Sequence, residues 1–526
     1  MATARTILGG TILGARASLV EVQADVRGGL PVLEIVGLPD RTVTEAARRV
    51  RTALANAGFK LPSRKIVINL APAEVPKRGA SLDLPIAAAI GVVTGQLVLP
   101  GSGDLALWGQ VALDGGVRGV AGVLPLALAL RQRNLHSLIV PTADQPQAAL
   151  AGIPVSGIES LAELRTLGRP GGAPGATGLA AGECVGLMPA SGSDESNTAL
   201  AAIIGLEGPL RCLEIAAAGW HHCLMLGPTG VGKSLLARAL HALLPRPGRS
   251  ELLELASLAS VSGASELGSA RELGRIQRPL RAPPPAVGLR AMLGGDRPPY
   301  LGEVSLAHGG LLLLDELGHF RPDVLLALSG ILAKDFTRLP ATKGICALPA
   351  DFLLAATSNL CPCGRTGSSE LCSCSGQALR AFRRRLGRAL LDRIDMHIEV
   401  GGPDAQQLEQ AFTADWEQAS TFDGHLDDMV RVRARIEEAR RKQVARYDQG
   451  WNGTCGELEF RAHGAISEPA ARLAARAGDE LGLSPRAVVK VLRVSRTIAD
   501  LAGSASVQAE HAAEALTYRS RLPSPT

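Results

Sequence analysis

The chain has 526 residues, which at the usual domain size predicts about three domains. Apolar residues make up 46% of it and aromatic residues only 3%, so its cores should consist mainly of Ala, Leu and Val. The net charge of +5 is too small to establish a nucleic-acid partner. No apolar run is long enough to span a membrane, and Arg5 and Arg16 interrupt any stretch that could act as a secretory signal.

The nine cysteines are odd in number, and four of them lie between residues 361 and 374. This distribution favours a reducing compartment and a metal site over a disulfide framework. We therefore expect a cytoplasmic protein.

Residues 1–168 are predicted to form an α/β domain with many glycine-rich turns. Leu19–Val26 alternates apolar and polar residues as a half-buried strand does, and Lys65–Leu70 is a second strand candidate. Helical periodicity covers Val43–Asn56 and Leu82–Val93.

Residues 169–197 are rich in Gly, Pro, Ser and Ala and have no apolar period, which predicts a flexible linker. A second α/β domain is expected at 198–402, followed by a connector at 403–427 and a helical domain at 428–526. In the helical domain, Ser484 and the proline after it are typical of a helix start. The elements predicted in the second α/β domain are a helix at Pro209–Ala218 and strands at Cys223–Leu226, Gly310–Leu314 and Phe352–Ala356.

Two arginine-rich segments, Arg380–Arg393 and Arg431–Arg446, stand out from the mild overall charge. Each could be a solvated helix face or part of a surface that binds a polyanion. The sequence does not separate these two interpretations.

The most informative segment is GPTGVGKS, which matches the phosphate-loop pattern G-x-x-x-x-G-K-[ST] at every fixed position. It follows a predicted strand and precedes an apolar-periodic stretch, Leu235–Leu244, as that motif requires. Main-chain N–H groups of such a loop surround a triphosphate, Lys233 reaches its β- and γ-phosphates, and the Ser234 hydroxyl holds Mg²⁺. The residues predicted to bind ATP are Gly227, Pro228, Thr229, Gly230, Val231, Gly232, Lys233 and Ser234.

An apolar run, Leu311–Leu314, ends in Asp315 and Glu316. A buried strand of this kind would bring Asp315 beside the Mg²⁺ held by Ser234, and Glu316 could then polarise the attacking water. A neighbouring strand candidate ends in Asn359, which could orient the same water or only form a turn.

Two arginines are candidates for contacts with phosphate. Arg393 is a permanent cation that could reach the nucleotide of a neighbouring subunit, or instead pair with an adjacent aspartate. Arg486 lies at the start of a predicted late helix and could reach the phosphates from a lid domain. Arg493 and Arg496, on the same helix, are rival candidates on physical grounds.

Five segments together resemble the magnesium-chelatase-like AAA+ proteins of the bacterial ComM/YifB group. These segments are GPTGVGKS (227–234), GEVSLAHGGLLLLDEL (302–317), NLCPCG (359–364), LLDRIDMHIEV (390–400) and LSPRAVVKVLRVSRTIADL (483–501). Residues 36–54 and 68–87 look like the first domain of that group, so the resemblance covers nearly the whole chain.

The resemblance implies an AAA+ P-loop core with a helical lid, preceded by a Lon-protease-like α/β domain. It also implies a hexameric, ATP-driven and Mg²⁺-dependent motor that moves branched DNA, acting as a helicase or by branch migration during natural transformation. By the same resemblance, Asn359 is sensor 1, Arg393 is a finger acting on the neighbouring subunit, and Arg486 is sensor 2.

The sequence departs from the family pattern in three places. A customary histidine pair is replaced in residues 280–285, which read LRAPPP, and Gly318–Phe320 differs from the usual continuation of the acidic strand. The predicted hairpin Thr337–Leu348 has Ala341 where an arginine is customary, although it keeps Lys343. These changes leave the ATPase residues intact and bear on how DNA would be contacted.

The first domain of the group is similar to the Lon protease domain, which uses a serine and a lysine. Ser81 aligns with the nucleophilic serine, but Leu124 takes the place of the lysine, and no lysine lies between Lys77 and Lys233. Arg118 would be a poor base because its guanidinium stays protonated. We therefore expect a non-proteolytic scaffold or interaction domain.

Four cysteines form a C-x-C…C-x-C array that could hold one Zn²⁺ tetrahedrally on two tight turns. Free cysteines or a redox pair are the alternative interpretation. The array consists of Cys361, Cys363, Cys372 and Cys374. His308 and His397 are isolated and are expected to be structural.

Three other functions compete with a DNA motor. An ATPase subunit of a metal chelatase or another remodelling complex is one, although the chain lacks an acidic low-complexity stretch and a D-x-S-x-S metal motif. An ATP-dependent protease is disfavoured by Leu124, and a non-hydrolytic scaffold by the intact Lys233, Asp315 and Glu316. The expected partners are branched DNA and other copies of the chain, and no membrane.

Overall fold

The computed structural model describes residues 6–99, 105–135, 137–167, 207–263, 276–296, 299–332, 336–341, 344–366, 372–401, 420–447 and 450–519. The predicted linker at 169–197, residues 403–419 of the predicted connector, and Lys343 lie outside these ranges. Within them, no helix is both long enough and apolar enough to cross a membrane.

The N-terminal domain is built on a seven-stranded mixed sheet. Its strands are β1 (Thr6–Leu13), β2 (Arg16–Arg27), β3 (Leu33–Val36), β4 (Lys65–Ala71), β5 (Leu105–Leu107), β8 (Ser137–Pro141) and β9 (Val155–Ile158), and a separate hairpin pairs β6 (Gln110–Val111) with β7 (Val117–Arg118). The spatial order of the sheet is β3-β4-β2-β1-β5-β8-β9. Its helices are α1 (Arg41–Asn56), α2 (Asp83–Val93), α3 (Val123–Gln132), α4 (Gln145–Ala149) and α5 (Leu164–Leu167).

Local sequence explains the helices that cover this sheet. Helix α1 begins after Asp40, whose carboxylate accepts a hydrogen bond from the Val43 main-chain N–H over 2.8 Å. Its buried residues, Val43, Ala46, Val50, Ala53 and Leu54, recur at helical spacing. Helix α2 is apolar on all sides and buried over most of its length. The four elements predicted for this domain are therefore confirmed, with small shifts in their ends.

The second domain contains a five-stranded, fully parallel sheet. Its strands are β10 (Cys223–Leu226), β11 (Leu280–Arg281), β14 (Leu311–Leu314), β17 (Leu353–Ser358) and β18 (Met396–Glu399), in the spatial order β11-β14-β17-β10-β18. Two hairpins pair β12 (Gly294–Asp296) with β13 (Pro299–Leu301) and β15 (Phe336–Ala341) with β16 (Gly344–Pro349). The carboxyl ends of parallel strands share one edge, so this edge is where a ligand site is expected.

Eight helices of the described chain belong to this domain. They are α6 (Glu207–Gly219), α7 (Lys233–Leu243), α8 (Arg249–Ser262), α9 (Leu289–Leu293), α10 (Glu303–Leu306), α11 (Pro322–Ile331), α12 (Gly376–Leu386) and α13 (Arg388–Leu391). The predicted helix at Pro209–Ala218 and the three predicted strands are confirmed, and the expected α/β class holds for both domains.

Helix α8 joins the two α/β domains. The main-chain N–H of Gly122, just before α3, donates to the main-chain oxygen of Ser260 over 3.0 Å. The Ser260 hydroxyl donates to Oε1 of Gln147 over 2.9 Å. Ala256 lies in the same hydrophobic cluster as Leu124. The N-terminal domain is thus packed directly against a helix of the second domain.

The C-terminal part is helical, as predicted. Its helices are α14 (Ser420–Tyr447), α15 (Glu457–His463), α16 (Glu468–Glu480), α17 (Pro485–Leu501) and α18 (Ala509–Thr517), so α14 begins inside the segment expected to be a connector. Ser484 caps α17, because its hydroxyl oxygen accepts the Ala487 N–H over 3.3 Å. Trp451 stacks on Trp220 of the second domain with ring centroids 4.8 Å apart, which fixes these helices to the sheet domain.

Candidate active site

The GPTGVGKS segment forms the predicted strand–loop–helix unit between β10 and α7. A Cβ on Gly227 would lie 2.2 Å from the main-chain oxygen of Val400, so only glycine fits at the start of the loop. Gly230 and Gly232 have φ values of +84° and +85°, which other residues rarely adopt. The glycines therefore shape a tight loop that ends at the N-terminus of α7.

The Lys233 side chain is folded back across this loop. Its ammonium donates to the main-chain oxygens of Gly227 over 2.9 Å and Pro228 over 2.5 Å, and to Oδ1 of Asn359 over 3.1 Å. Burial lowers the pKa of Lys233 below its ordinary value, while the carboxylates of Asp315 and Glu316 act in the opposite direction. Asn359, predicted from the end of its strand, thus contacts the phosphate-loop lysine directly.

A second set of hydrogen bonds links the loop to the acidic strand β14. The Ser234 hydroxyl lies 2.9 Å from each carboxylate oxygen of Asp315. The Thr357 hydroxyl donates to Oδ1 of Asp315 over 2.5 Å and accepts the main-chain N–H of Glu316 over 2.9 Å. One threonine therefore fixes both acidic residues relative to β17.

Glu316 has a strained backbone conformation and a solvent-accessible carboxylate. Its φ of +59° lies in the left-handed region, an uncommon and strained conformation for a residue with a side chain. The carboxylate is half exposed, and its Oε2 lies 2.9 Å from Nδ1 of His319. A carboxylate presented to solvent beside the phosphate loop can accept a proton from water.

The oxygen atoms of Ser234 and Asp315 also form a suitable set of ligands for Mg²⁺. Ser234 and Asp315 supply a hydroxyl and a carboxylate at one point of the sheet edge, and magnesium prefers such hard oxygen ligands together with phosphate oxygens. Sequence analysis missed Thr357 and the contact of His319 with Glu316. The available signal for Thr357 was a hydroxyl side chain near the end of a strand that begins with four apolar residues.

Arg393 follows α13 and precedes β18, and its side chain is partly buried. In the described part of the chain it forms no ion pair with Asp392 or Asp395, and Asp395 pairs instead with Lys490 over 2.6 Å. The local salt bridge considered as an alternative for Arg393 is therefore absent among the described residues.

Three arginines of α17 competed for the sensor role, and the structure separates them. Arg493 donates to the main-chain oxygens of Gly453 and Cys455, each over 2.7 Å. Arg496 is fully buried and pairs with Asp500 over 2.9 Å. Arg486 is exposed and has no hydrogen bond or ion pair within the described chain. It is the rival that remains available for an external anion, although no contact joins it to the phosphate loop in these ranges.

The four predicted cysteines lie together. Their sulfur atoms are all within 4.8 Å of one another, with Cys361 and Cys363 at 3.3 Å and Cys363 and Cys372 at 3.6 Å. A tetrahedral zinc site with bonds of about 2.3 Å needs sulfur separations of about 3.8 Å, which this cluster approaches. Burial opposes ionisation of Cys361, but hydrogen bonds from Thr366 and the neighbouring thiols outweigh it and lower its pKa to about 6.

The N-terminal domain does not present a hydrolytic pair at the aligned positions. Ser81 is buried, and its hydroxyl donates to the main-chain oxygen of Gly10 over 3.1 Å. Leu124 is fully buried in the cluster that receives Ala256 of α8. The position of the Lon lysine therefore contributes to packing between domains.

Of the other two residues predicted to be structural, one forms side-chain hydrogen bonds and the other is buried. His308 lies 3.3 Å from Glu254, and its Nδ1 accepts the Asp351 main-chain N–H over 3.2 Å. His397 is buried, and burial together with the nearby Arg519 cation lowers its pKa to about 4.

Comparison with known proteins is consistent along the whole chain. The family described as "Magnesium chelatase, subunit ChlI" matches residues 199–408, and its related descriptions match residues 22–144 and, for the C-terminal part, 427–519. The competence protein ComM of Haemophilus influenzae is 35% identical over 513 residues, covering 97% of this chain and 96% of that protein. The uncharacterized protein YifB of Salmonella typhimurium is 34% identical over 511 residues, covering 96% and 95%.

A separate similarity concerns only the N-terminal region. Lon protease 2 of Bacillus subtilis is 32% identical over 129 residues, which cover 23% of this chain and 22% of that protein. Together with the near-full-length matches, this confirms the resemblance found in the sequence. The chain belongs to the ComM/YifB family of magnesium-chelatase-like AAA+ ATPases, with a Lon-protease-like domain at its N-terminal end.

Proposed function

We propose that the protein is an ATP-hydrolysing hexameric motor that moves branched DNA, acting on recombination intermediates during natural transformation. The observation that carries the proposal is the joined set of Lys233, Ser234, Asp315 and Glu316 at one edge of a parallel sheet. The name of the Haemophilus relative, a competence protein, supports the link to transformation.

In this proposal the phosphate loop and Lys233 hold the β- and γ-phosphates of ATP. Ser234 and Asp315 hold Mg²⁺, which neutralises charge on the phosphate oxygens when it is bound. Glu316 accepts a proton from the attacking water, and Asn359 orients that water or keeps the Lys233 ammonium in place.

Two arginines complete the proposed mechanism from outside the loop. Arg393 would stabilise transition-state charge on the nucleotide of the adjacent subunit, a role that its lack of an ion pair in the described chain supports. Arg486 would contact, from the helical domain, the phosphates of the nucleotide bound by its own subunit. Mixing Lys233→Ala subunits with Arg393→Ala subunits should restore part of the lost turnover, because one interface then combines an intact loop with an intact arginine. No recovery in the mixture would remove Arg393 from this role.

DNA contact is supported by one of the two arginine-rich segments. Helix α12 carries Arg380, Arg384 and Arg385 at exposed positions, and none of them has an ion pair within the described chain. The other segment is used within the fold. Its members Arg433, Arg435, Arg440 and Arg446 bond to Ala242, Glu214, Gly450 and Asp500 respectively. We therefore assign the polyanion-binding interpretation to α12 and the structural one to α14.

The direct test follows strand movement. A four-way DNA junction with one labelled arm is mixed with the protein, ATP and Mg²⁺, and strand exchange is followed on a native gel. The proposal expects ATP-dependent conversion by the native protein and none by Glu316→Gln, which should still bind ATP. Normal conversion by Glu316→Gln, or none by the native protein while it hydrolyses ATP, would overturn the assignment.

A second candidate is the ATPase subunit of a metal chelatase or of another remodelling complex. It is favoured by one observation, the description of all three matched family segments as magnesium chelatase subunit ChlI. ATP turnover that DNA does not alter, together with capture of a tetrapyrrole-binding partner, would select this candidate over the DNA motor.

Two further assignments belong to the same proposal. The cysteine cluster holds one structural Zn²⁺, because the distances between its four sulfur atoms are close to those in a tetrahedral zinc site. The Lon-like domain is a non-proteolytic scaffold, because Ser81 bonds to a main-chain oxygen and Leu124 is buried in a domain contact.

A further inference from the structure

The first pair of cysteines lies on a tight turn that directly follows Asn359. The Gly364 main-chain N–H donates to the Cys361 oxygen over 3.1 Å, which closes the turn around Cys361 and Cys363. Gly364 has a φ of +75°, and the Thr366 N–H donates to the Cys361 sulfur over 3.4 Å. The conformation of this turn therefore determines where Gly364 presents its own main-chain oxygen.

That oxygen is bonded to the phosphate loop. The main-chain N–H of Thr229, in the middle of GPTGVGKS, donates to the Gly364 oxygen over 3.1 Å. The two residues are also closely packed, since a Cβ on Gly364 would lie 2.6 Å from Cγ2 of Thr229. On the other side of the turn, Asn359 bonds to the Lys233 ammonium over 3.1 Å. The cysteine turn thus contacts the phosphate loop through Gly364, and Asn359, two residues before the turn, contacts Lys233.

The second pair of cysteines approaches this turn through its sulfur atoms. Cys372 is exposed, and its sulfur lies 3.6 Å from the Cys363 sulfur. Thiols are weak hydrogen-bond donors and acceptors, so four uncoordinated thiols would hold the two turns together poorly. Four bonds to one metal ion would hold them firmly.

We infer that a Zn²⁺ ion bound by the four cysteines presets the phosphate loop for nucleotide through the Gly364–Thr229 contact. This inference rests on the proposed nucleotide site and adds a metal requirement to it. A loop that is already in its binding conformation loses less conformational entropy when ATP binds. Loss of the metal should therefore weaken nucleotide binding, through the main-chain bond between Gly364 and Thr229.

The test measures zinc content and nucleotide affinity on the full-length protein without DNA. Zinc is determined by mass spectrometry, and the Kd of a non-hydrolysable fluorescent ATP analogue is measured in excess Mg²⁺ before and after treatment with a zinc-selective chelator. Removal of zinc should raise the Kd about tenfold, the effect expected when one hydrogen bond that shapes the loop is removed. Adding zinc back should restore the native Kd. This recovery would show that the loss of affinity comes from loss of the metal and not from irreversible unfolding.

Three variants locate the effect. Cys372→Ala should lose both the metal and the affinity, whereas Gly364→Ala should keep the metal and lose the affinity, because its Cβ displaces Thr229. Ser373→Ala is the matched control: it changes the exposed residue between two ligands and should alter neither quantity.

Several outcomes would overturn the inference. They are the absence of tightly bound zinc in the native protein, a native Kd for the zinc-free protein, a native Kd for Gly364→Ala, and failure of added zinc to restore affinity. Because neither DNA nor hydrolysis enters the assay, a negative result contradicts the zinc assignment or its link to the phosphate loop and leaves the DNA-motor assignment untouched. Conversely, a protein indifferent to DNA could still show zinc-dependent nucleotide binding.

Discussion

The ammonium of Lys490 donates a hydrogen bond to the main-chain oxygen of Arg393 over 2.5 Å. The same ammonium lies 2.6 Å from Oδ1 of Asp395, whose Oδ2 accepts the main-chain N–H of His222 over 2.8 Å. Lys490 lowers the pKa of Asp395 strongly, against the opposing effect of burial, so the pair is charged. The helical domain therefore holds the backbone segment that carries Arg393.

Helix α17 connects this contact to the proposed sensor. Arg486 and Lys490 are four residues apart on α17 and so lie on the same helix face. A movement of α17 that brings Arg486 toward a nucleotide would also move the bond to Arg393. Within one chain, Lys490 is thus placed to coordinate two arginines that are proposed to act on different nucleotides.

Replacement of Lys490 tests this coupling. Lys490→Met should lower ATP turnover at least about tenfold, since it removes a hydrogen bond from a charged group. It should leave ATP binding by the same subunit unchanged. Mixed with Lys233→Ala subunits, it should recover turnover as Arg393→Ala does, because its own phosphate loop is intact.

Lys490→Met leaves the buried Asp395 carboxylate without its partner, so a second variant is needed as a control for stability. An unpaired Asp395 would cost about 3–5 kcal/mol of stability, so the double variant Lys490→Met/Asp395→Asn accompanies the single one. Lys442→Met is the matched control, because Lys442 also bonds to a main-chain oxygen, that of Asp500, over 3.1 Å. Turnover of the Lys490 variants at the control level would show that Lys490 does not position Arg393.

Thr357 provides a matched pair of substitutions at the catalytic edge. Thr357→Ser keeps the hydroxyl that bonds Asp315 and the Glu316 N–H, and should retain most of the turnover. Thr357→Val removes both hydrogen bonds in a fully buried position and should lower turnover about tenfold or more, with a larger Mg²⁺ requirement. The measurement is ATP hydrolysis against Mg²⁺ concentration. Equal Mg²⁺ curves for the two variants would mean that the hydroxyl does not position the acidic pair.

Buried histidines predict acid sensitivity. Burial lowers the pKa of His221, His222 and His397 to about 4 from an ordinary value of 6.5. Between these pH values the unfolded chain binds protons that the native protein does not, so stability is lost as the pH falls through this window. Each histidine contributes a slope of up to about 1.4 kcal/mol per pH unit.

Urea unfolding followed between pH 6.5 and pH 4 measures that slope. His397→Leu should make it shallower by about 1.4 kcal/mol per pH unit, since one of the three groups no longer titrates. His463→Gln, at an exposed position at the end of α15, serves as the control and should keep the native slope. A slope unchanged by His397→Leu would show that this side chain is not held neutral by the fold.

The arginines of α12 give a prediction for DNA binding. Arg380 and Arg384 are exposed and one helical turn apart, and replacing both by glutamine should weaken binding to all DNA sequences alike. The slope of log affinity against log salt should fall by about 2, because each of the two arginines would no longer neutralise a phosphate. The double variant Arg472→Gln/Arg476→Gln is the control. These two arginines have the same spacing on α16 and are exposed, but each lies beside a glutamate, Glu468 or Glu480. An unaltered salt slope in the α12 variant would exclude this helix from binding DNA.

The adjacency of the phosphate loop and the acidic strand could be predicted from the sequence, because local patterns determine it. One pattern is a glycine-rich loop between a strand and a helix, and the other is an apolar strand that ends in two carboxylates. If the two strands are parallel and belong to one sheet, the loop and the carboxylates lie at the same edge. Ser234 and Asp315 are therefore adjacent, and Asn359 reaches Lys233. The hydroxyl of Thr357 was visible in the sequence, but its role could not be derived there, because it depends on which strand lies between β10 and β14.

Contacts between residues that are distant in the chain could not be predicted from the sequence either, because no local pattern indicates them. The two arginine-rich segments have similar composition, yet Arg435 and Arg446 of α14 pair with other helices. Arg380, Arg384 and Arg385 of α12 are exposed. The bond from Lys490 to Arg393 joins residues far apart in the chain. The contact between the cysteine turn and Thr229 likewise depends on the packing of two loops.

ATP hydrolysis with forked DNA, four-way DNA, plain duplex DNA and no DNA, with Glu316→Gln as the blank, distinguishes a DNA motor from other ATPases. A DNA motor with the assigned site should show turnover that branched DNA stimulates several-fold more than duplex DNA does, and the blank should show none. Robust turnover that is the same with and without every DNA would contradict the DNA motor, and equal turnover in the Glu316→Gln protein would contradict the assigned catalytic site.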